Sequence, residues 1–203
     1  MLTRRLRGSA GLLGTKGAVS ATPSMRENRL VEIPAPCMIW RVLSARSGLG
    51  KPVRSKVAAI CWSSCVRSVK LTDGLIAAAD GRKVRVRIAD DEAFLTVKGA
   101  RKGLSREEFE YPIPLEDAEQ LIAHHCEGRV VTKTRHFVVV DGFTFELDVY
   151  DGLLDGITIA EAELTSPDQV IPRPSWLGEE VTGREEYRKI NMLRARHELA
   201  VKA

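Results

Sequence analysis

Acidic residues are almost missing from the first third of this 203-residue chain. Residues 1–70 hold thirteen Lys and Arg but only two acids, Glu27 and Glu32, while residues 71–203 hold 18 basic and 25 acidic residues. The net charge of +4 therefore averages two unlike kinds of text. Long apolar runs are also absent, and none reaches the roughly 18 residues that a bilayer-spanning helix needs. A secretory signal needs an unbroken apolar stretch of about 7–15 residues, but Gly8, Ser9, Gly11, Gly14, Thr15 and Lys16 interrupt any such stretch. The first 25 residues thus read as a basic leader or a transit-type peptide. With four Cys in the chain, a disulfide framework is not expected. Cys61 and Cys65 are spaced like half a metal site, yet no second ligand pair of fitting spacing follows, so free thiols and a cytoplasmic setting are expected. Gly48-Leu49-Gly50-Lys51 is not a phosphate loop, because Ala45 and Pro52 stand where Gly and Ser or Thr are required. The basic residues of the N-terminal part are scattered rather than set on one face, so neither nucleic acid nor a membrane is an expected partner.

From Gly81 onward a period of two takes over. Arg85 and Arg87 alternate with Val84, Val86 and Ile88, and Lys98 closes the next run. Glu108 and Glu110 oppose Phe109, Tyr111 and Ile113. Lys133 pairs with Arg135, Glu146 with Asp148, and Glu161 with Glu163. Residues i and i+2 of a strand share a face. One such pair describes a solvated strand face, but five on successive strands describe a surface. Its opposite face is apolar and needs a partner. An α+β fold meets both demands: an antiparallel β-barrel tunnel with flanking helices outside and charges in the lumen. Carboxylates at this spacing suit Mg²⁺ or Mn²⁺, and Arg and Lys pairs suit phosphate oxygens. The predicted ligand is a polyphosphate with its metal.

Two helices are expected. Pro114-Leu115-Glu116-Asp117 opens one, with Leu115, Ala118, Leu121, Ile122 and His125 as its apolar stripe. The other covers residues 184–199, with Tyr187, Ile190 and Leu193 on one side. Adjacent helical residues diverge by about 100°, so His124-His125-Cys126 reads as a helix end and not a metal cluster. His136, out of phase with Lys133 and Arg135, is expected to face outward.

The ordered motifs VRVRIADDEAFLTVKG, SREEFEYPIPLEDAEQL, VVTKTRH, FELDVYDG, IAEAEL and WLGEEVTG resemble the CYTH family, the triphosphate tunnel metalloenzymes, over about residues 81–193. The resemblance implies a metal-dependent hydrolase of inorganic, nucleoside or thiamine triphosphate. Two alternatives stay open, a non-catalytic polyphosphate-binding module and an adenylate cyclase. By the same resemblance Arg85, Arg87, Lys98, Lys133 and Arg135 hold phosphate, with Lys98 and Arg135 nearest the chemistry. Glu161, Glu163, Glu146 and Asp148 hold metal, and Glu108 and Glu110 are further tunnel acids. The family opens on Glu-x-Glu-x-Lys, which residues 1–80 lack, and Pro112 stands where a third acid is usual, so that strand is expected to end or lie at an edge. These departures fit a tunnel domain at 76–195, its barrel incomplete at the N-terminal strands and so open on one side, and a tail at 196–203. Residues 1–75 are then a poorly ordered or divergent segment, either genuinely diverged or read out of frame upstream of about residue 80.

Overall fold

The computed structural model describes residues 37–42, 64–100, 106–166 and 168–201. In chain order the strands are β1 (Cys37–Val42), β2 (Cys65–Ala79), β3 (Arg82–Ala89), β4 (Glu92–Lys98), β5 (Glu108–Ile113), β6 (Val130–Val140), β7 (Phe143–Tyr150), β8 (Thr158–Glu163) and β9 (Leu177–Glu180). Helix α1 (Leu115–His125) lies between β5 and β6, and α2 (Lys189–Val201) follows β9. The strands form one antiparallel sheet in the order β5-β4-β3-β2-β6-β7-β8-β1-β9.

Local chemistry sets the hairpins. Asp80-Gly81 joins β2 to β3 and Asp141-Gly142 joins β6 to β7, with positive φ at both residues of each turn. That backbone matches the twist of the flanking strands, and Gly adopts it without a Cβ clash. The alternating pattern then sends the charges to one face and the apolar residues to the other. Helix α1 covers the apolar face of β2–β4, where Ala118 and Cys126 are buried against Val86 and Ala93, with Leu121 and Ile122 partly buried beside them. Gly74 permits this close approach: a Cβ there would stand 2.5 Å from the Cys126 Sγ. Over β6–β8 the cover is not helical. Phe145, Leu147, Val138 and Ala160 pack under Trp176 and Leu177, with Leu164 and Ile171 completing the layer. The charged face is closed at one end by α2, whose Met192 and Leu193 pack on Val131, Tyr150, Leu154 and Ile159.

The sheet is open, as expected of a barrel incomplete at its N-terminal strands: among the described residues neither β5 nor β9 pairs with a second strand on its outer side. Other expectations need correcting. Strand β2 runs through the boundary expected at residue 76 and lies at the centre of the sheet, in register with β3 and β6, so the organised domain begins by Cys65. A change of reading frame as late as residue 80 does not fit a strand so placed. Cys61 and Trp62 lie outside the described residues. The last helix starts at Lys189, because Glu185–Tyr187 forms a separate 3-10 turn, and Met192 joins Leu193 in the core. On α1 the buried stripe is narrower than expected, since Leu115 and His125 are exposed. Pro112 sits within β5, an edge strand where its missing N–H costs no ladder bond. His136 lies on the outer face opposite Leu147, and its Nδ1 is 2.7 Å from the Ser68 Oγ.

Candidate active site

The inward residues of β2 to β8 converge on a concave surface that holds two ion-pair networks with a bridge between them. The first spans β3–β5. Lys98 Nζ donates to Glu108 Oε1. Arg85 Nη2 donates to Thr96 Oγ1 at 3.1 Å and to Glu110 Oε2 at 3.4 Å, and Thr96 Oγ1 donates to that same oxygen at 2.9 Å. The cross-strand register makes this inevitable: Arg85 stands opposite Thr96, Thr96 opposite Glu110, and Lys98 opposite Glu108. The second spans β6–β8. Asp148, fully buried, accepts Arg135 Nε at 2.7 Å and Nη2 at 2.8 Å and also receives Lys133 Nζ. Arg135 further donates Nη1 to Glu146 and Nη2 to Glu161 Oε2 at 3.0 Å. Between the networks, Arg87 donates to both oxygens of Asp73 at 2.6 and 2.9 Å.

Burial and neighbours set the protonation of these groups. Burial alone would raise the Asp73 carboxyl, but Lys189 and Arg87 outweigh it and hold it well below the usual range. Asp148 is treated likewise and falls to about 2, with Arg135 and Lys133 outweighing burial. Burial, then repulsion from Arg85, lowers Lys98 to about 8 against the pull of Glu108. Lys133 is also lowered, by burial and by Lys189. Burial would lower Arg135, but its carboxylates raise it, so it stays charged. Glu146 is raised by burial and, against Arg135, by the nearby Glu163, Glu161 and Asp148.

A cavity of about 260 Å³ opens on this face, and its lining mixes cations, Arg67, Arg87 and Arg135, with acids, Glu92, Glu110 and Glu146. Arg67 stacks its guanidinium 5.3 Å from the centre of the Phe137 ring at the same cavity. The fold brings Arg85, Lys98, Glu108 and Glu110 together in one cluster and Lys133, Arg135, Glu146, Asp148 and Glu161 in the other, with Arg87 between. Glu163 lies at the exposed end of β8. Asp73, Thr96, Arg67 and Lys189 were not foreseen. Arg67, Val69, Leu71 and Asp73 alternate on β2, so a two-residue period was present there, but its apolar members hid the charged ends.

For a divalent cation, the chemistry of the donor set decides. No three His, Cys, Asp or Glu residues are gathered into a cage among the described residues. Glu146 and Glu161, however, stand opposite each other on β7 and β8, and Arg135 takes only one oxygen of each, which leaves the second oxygen of both for a cation. Mg²⁺ binds well through one or two carboxylates plus substrate phosphate, so this pair fits such an ion. Asp148 does not fit it, because cations occupy both of its oxygens.

An antiparallel sheet curved around paired cations and carboxylates defines a class of protein built to hold a polyanion together with metal. The chain belongs to the CYTH domain family, whose model matches residues 67–196. It is 36% identical over 148 residues to an inorganic triphosphatase of Acetivibrio thermocellus, covering 72% of this chain and 95% of that protein. It is 39% identical over 127 residues to an inorganic triphosphatase of Nitrosomonas europaea, covering 61% and 83%. A solved structure of an inorganic triphosphatase superposes with a TM-score of 0.54 at 29% identity, covering 78% of this chain and 96% of that one. The family is metal-dependent.

Proposed function

We propose that this protein hydrolyses inorganic triphosphate with Mg²⁺ or Mn²⁺. The observation that carries this reading is that Arg87, Arg135 and Glu146 line one cavity, which offers both cations for phosphate oxygens and a carboxylate for the accompanying metal. The kinship with two inorganic triphosphatases supports the same substrate. In this reading Arg85, Arg87, Lys98, Lys133 and Arg135 neutralise the phosphate oxygens along the chain. The Nε of Arg85 is buried with no hydrogen-bond partner, as expected of a donor reserved for a ligand. Glu161 and Glu146, with Glu163 at the rim, would hold the metal, which supplies charge neutralisation and polarisation of the phosphoryl group. Asp148 serves as the buried counter-ion that keeps Lys133 and Arg135 in place, while Glu108 and Glu110 do the same for Lys98 and Arg85. Arg135 and Lys98 stabilise charge as water attacks the terminal phosphorus in line with the bridging oxygen that leaves. Positioning and electrostatics supply the catalysis. The substrate is a small polyanion, and a cytoplasmic setting accords with the free thiols of Cys65 and Cys126.

The test is phosphate release from inorganic triphosphate by the full chain, with Mg²⁺ or Mn²⁺ and with a chelator. Turnover with metal and none with chelator is the expected result. Retention of triphosphate without turnover in any metal would overturn the hydrolase reading. Its structural motive would be β1: its sequence CMIWRV, alongside β8, contains no acid.

A further inference from the structure

Asp73 is an acid on a wall otherwise expected to receive phosphate, and no role follows for it from the reading above. It lies on the central strand β2, 6% exposed, directly opposite Arg87 in the β2–β3 register. It takes the Nε and Nη2 edge of the Arg87 guanidinium with both oxygens. Lys189 Nζ, from the first residue of α2, stands 3.6 Å from Oδ2, the oxygen that also accepts Arg87 Nη2. Two roles are conceivable for such a carboxylate. It could occupy the place of a phosphate, or it could stand behind the arginine and aim it.

The geometry favours the second. The β2 residues that line the cavity are Arg67, Val69 and Leu71, whereas Arg87 lines it and Asp73 does not. The carboxylate thus grips one edge of the guanidinium from outside the cavity. Nη1 of Arg87 carries no hydrogen bond among the described residues. A guanidinium has five donors in a planar fork, so fixing the Nε–Nη2 edge fixes where the remaining donors point. Arg87 and Arg135 line the same cavity and repel each other, so an anion behind Arg87 helps to hold its side chain in place.

We propose that Asp73 is a positioning residue that aims Arg87 into the polyphosphate site, and that Lys189 anchors Asp73 so that α2 contributes to phosphate binding without touching substrate. The proposal rests on the reading of Arg87 as a phosphate ligand.

The test is a double-mutant cycle on the full chain, read as KM and kcat for inorganic triphosphate with Mg²⁺ and as melting temperature. Arg87→Gln alone should raise KM at least roughly tenfold, the loss of one charge-assisted phosphate contact. Asp73→Asn should raise KM by a similar factor with a smaller change in kcat, and Asp73→Glu should recover part of it. Asp73→Asn added to Arg87→Gln should cost nothing further, because its effect runs through Arg87. Lys189→Met, at a side chain 35% exposed, should raise KM about threefold, as expected for one remote contact. An unchanged KM in Arg87→Gln overturns the reading of Arg87 itself. A weakened Arg87→Gln beside an Asp73→Asn that lowers only the melting temperature overturns the positioning role alone. A lower KM in Asp73→Asn likewise overturns it, since Asp73 would then be a competitor of phosphate.

Discussion

Arg135 donates to three carboxylates from three different acids on two strands, and Asp148 accepts from two cations. Each is therefore worth more through what it leaves behind than through any single bond. Replacing Asp148 by Asn removes the charge that balances a fully buried Lys133, and breaking one side of such a pair costs about 3–5 kcal/mol. The expected result is a large drop in the denaturant midpoint with no change in slope. On the proposed function Arg135→Gln removes a phosphate donor as well as a counter-ion, so triphosphate turnover should fall at least roughly a hundredfold. Protonation gives a further handle. The Asp148 carboxyl is held at about 2, below its unfolded value, so its stabilisation is complete above the ordinary carboxylate range and is lost as pH falls toward 2. Lys98 behaves oppositely as a buried cation lowered to about 8. Above that value the folded form loses the proton that the unfolded chain retains up to about 10.5, so its burial penalty is relieved as pH rises through this window. Its charge is lost from the site over the same range. KM for triphosphate should therefore rise as pH passes 8, and Lys98→Gln should flatten that limb of the profile.

The elements show a second kind of constraint, close approach. Strand β2 and helix α1 meet at Gly74, where a Cβ would stand 2.5 Å from Cys126 Sγ, 3.1 Å from Val86 Cγ1 and 3.2 Å from Ile122 Cγ1. Cys126 and Val86 are fully buried and have nowhere to yield. Gly74→Ala should destabilise by about 1–3 kcal/mol as overpacking, and Cys126→Ala in the same chain should recover part of it, measured by chemical denaturation. This contact was not legible in the sequence, because it depends on a helix axis and not on a period. The strands themselves were legible. A period of two follows from strand geometry, and it placed Arg85, Lys98, Glu108, Lys133, Arg135, Glu146 and Glu161 on one face. Strand β2 was missed because its inward face carries Val69 and Leu71 between Arg67 and Asp73, so no like-charged pair marks it. The opening of the sheet was legible only as a missing motif. Nothing local in β5 or β9 says that an edge will find no neighbour among the described residues.

At the scale of the molecule, charge balance dictates how ligand and metal must arrive. Every inward cation of the expected phosphate set already has an acid: Arg85 has Glu110, Lys98 has Glu108, Arg87 has Asp73, Lys133 has Asp148, and Arg135 has Glu146. Glu161 adds a further negative charge. The concave face is thus not a basic patch that draws phosphate by itself. A polyanion entering it must displace carboxylates from their cations, and those carboxylates, left facing one another, then need a cation of their own. Metal and triphosphate should therefore bind with positive coupling, each raising the affinity of the other by the same factor. The measurement is thermal melting with a non-hydrolysable imido analogue of triphosphate, with Mg²⁺, and with both, since a ligand bound only to the folded state raises the melting temperature by mass action. The pair should raise it by more than the two separate shifts added together, and the excess should vanish in a Glu146→Gln, Glu161→Gln double variant. Shifts that merely add would mean that the carboxylates released by phosphate find cations within the fold. The metal would then bind the substrate alone and owe nothing to β7 and β8.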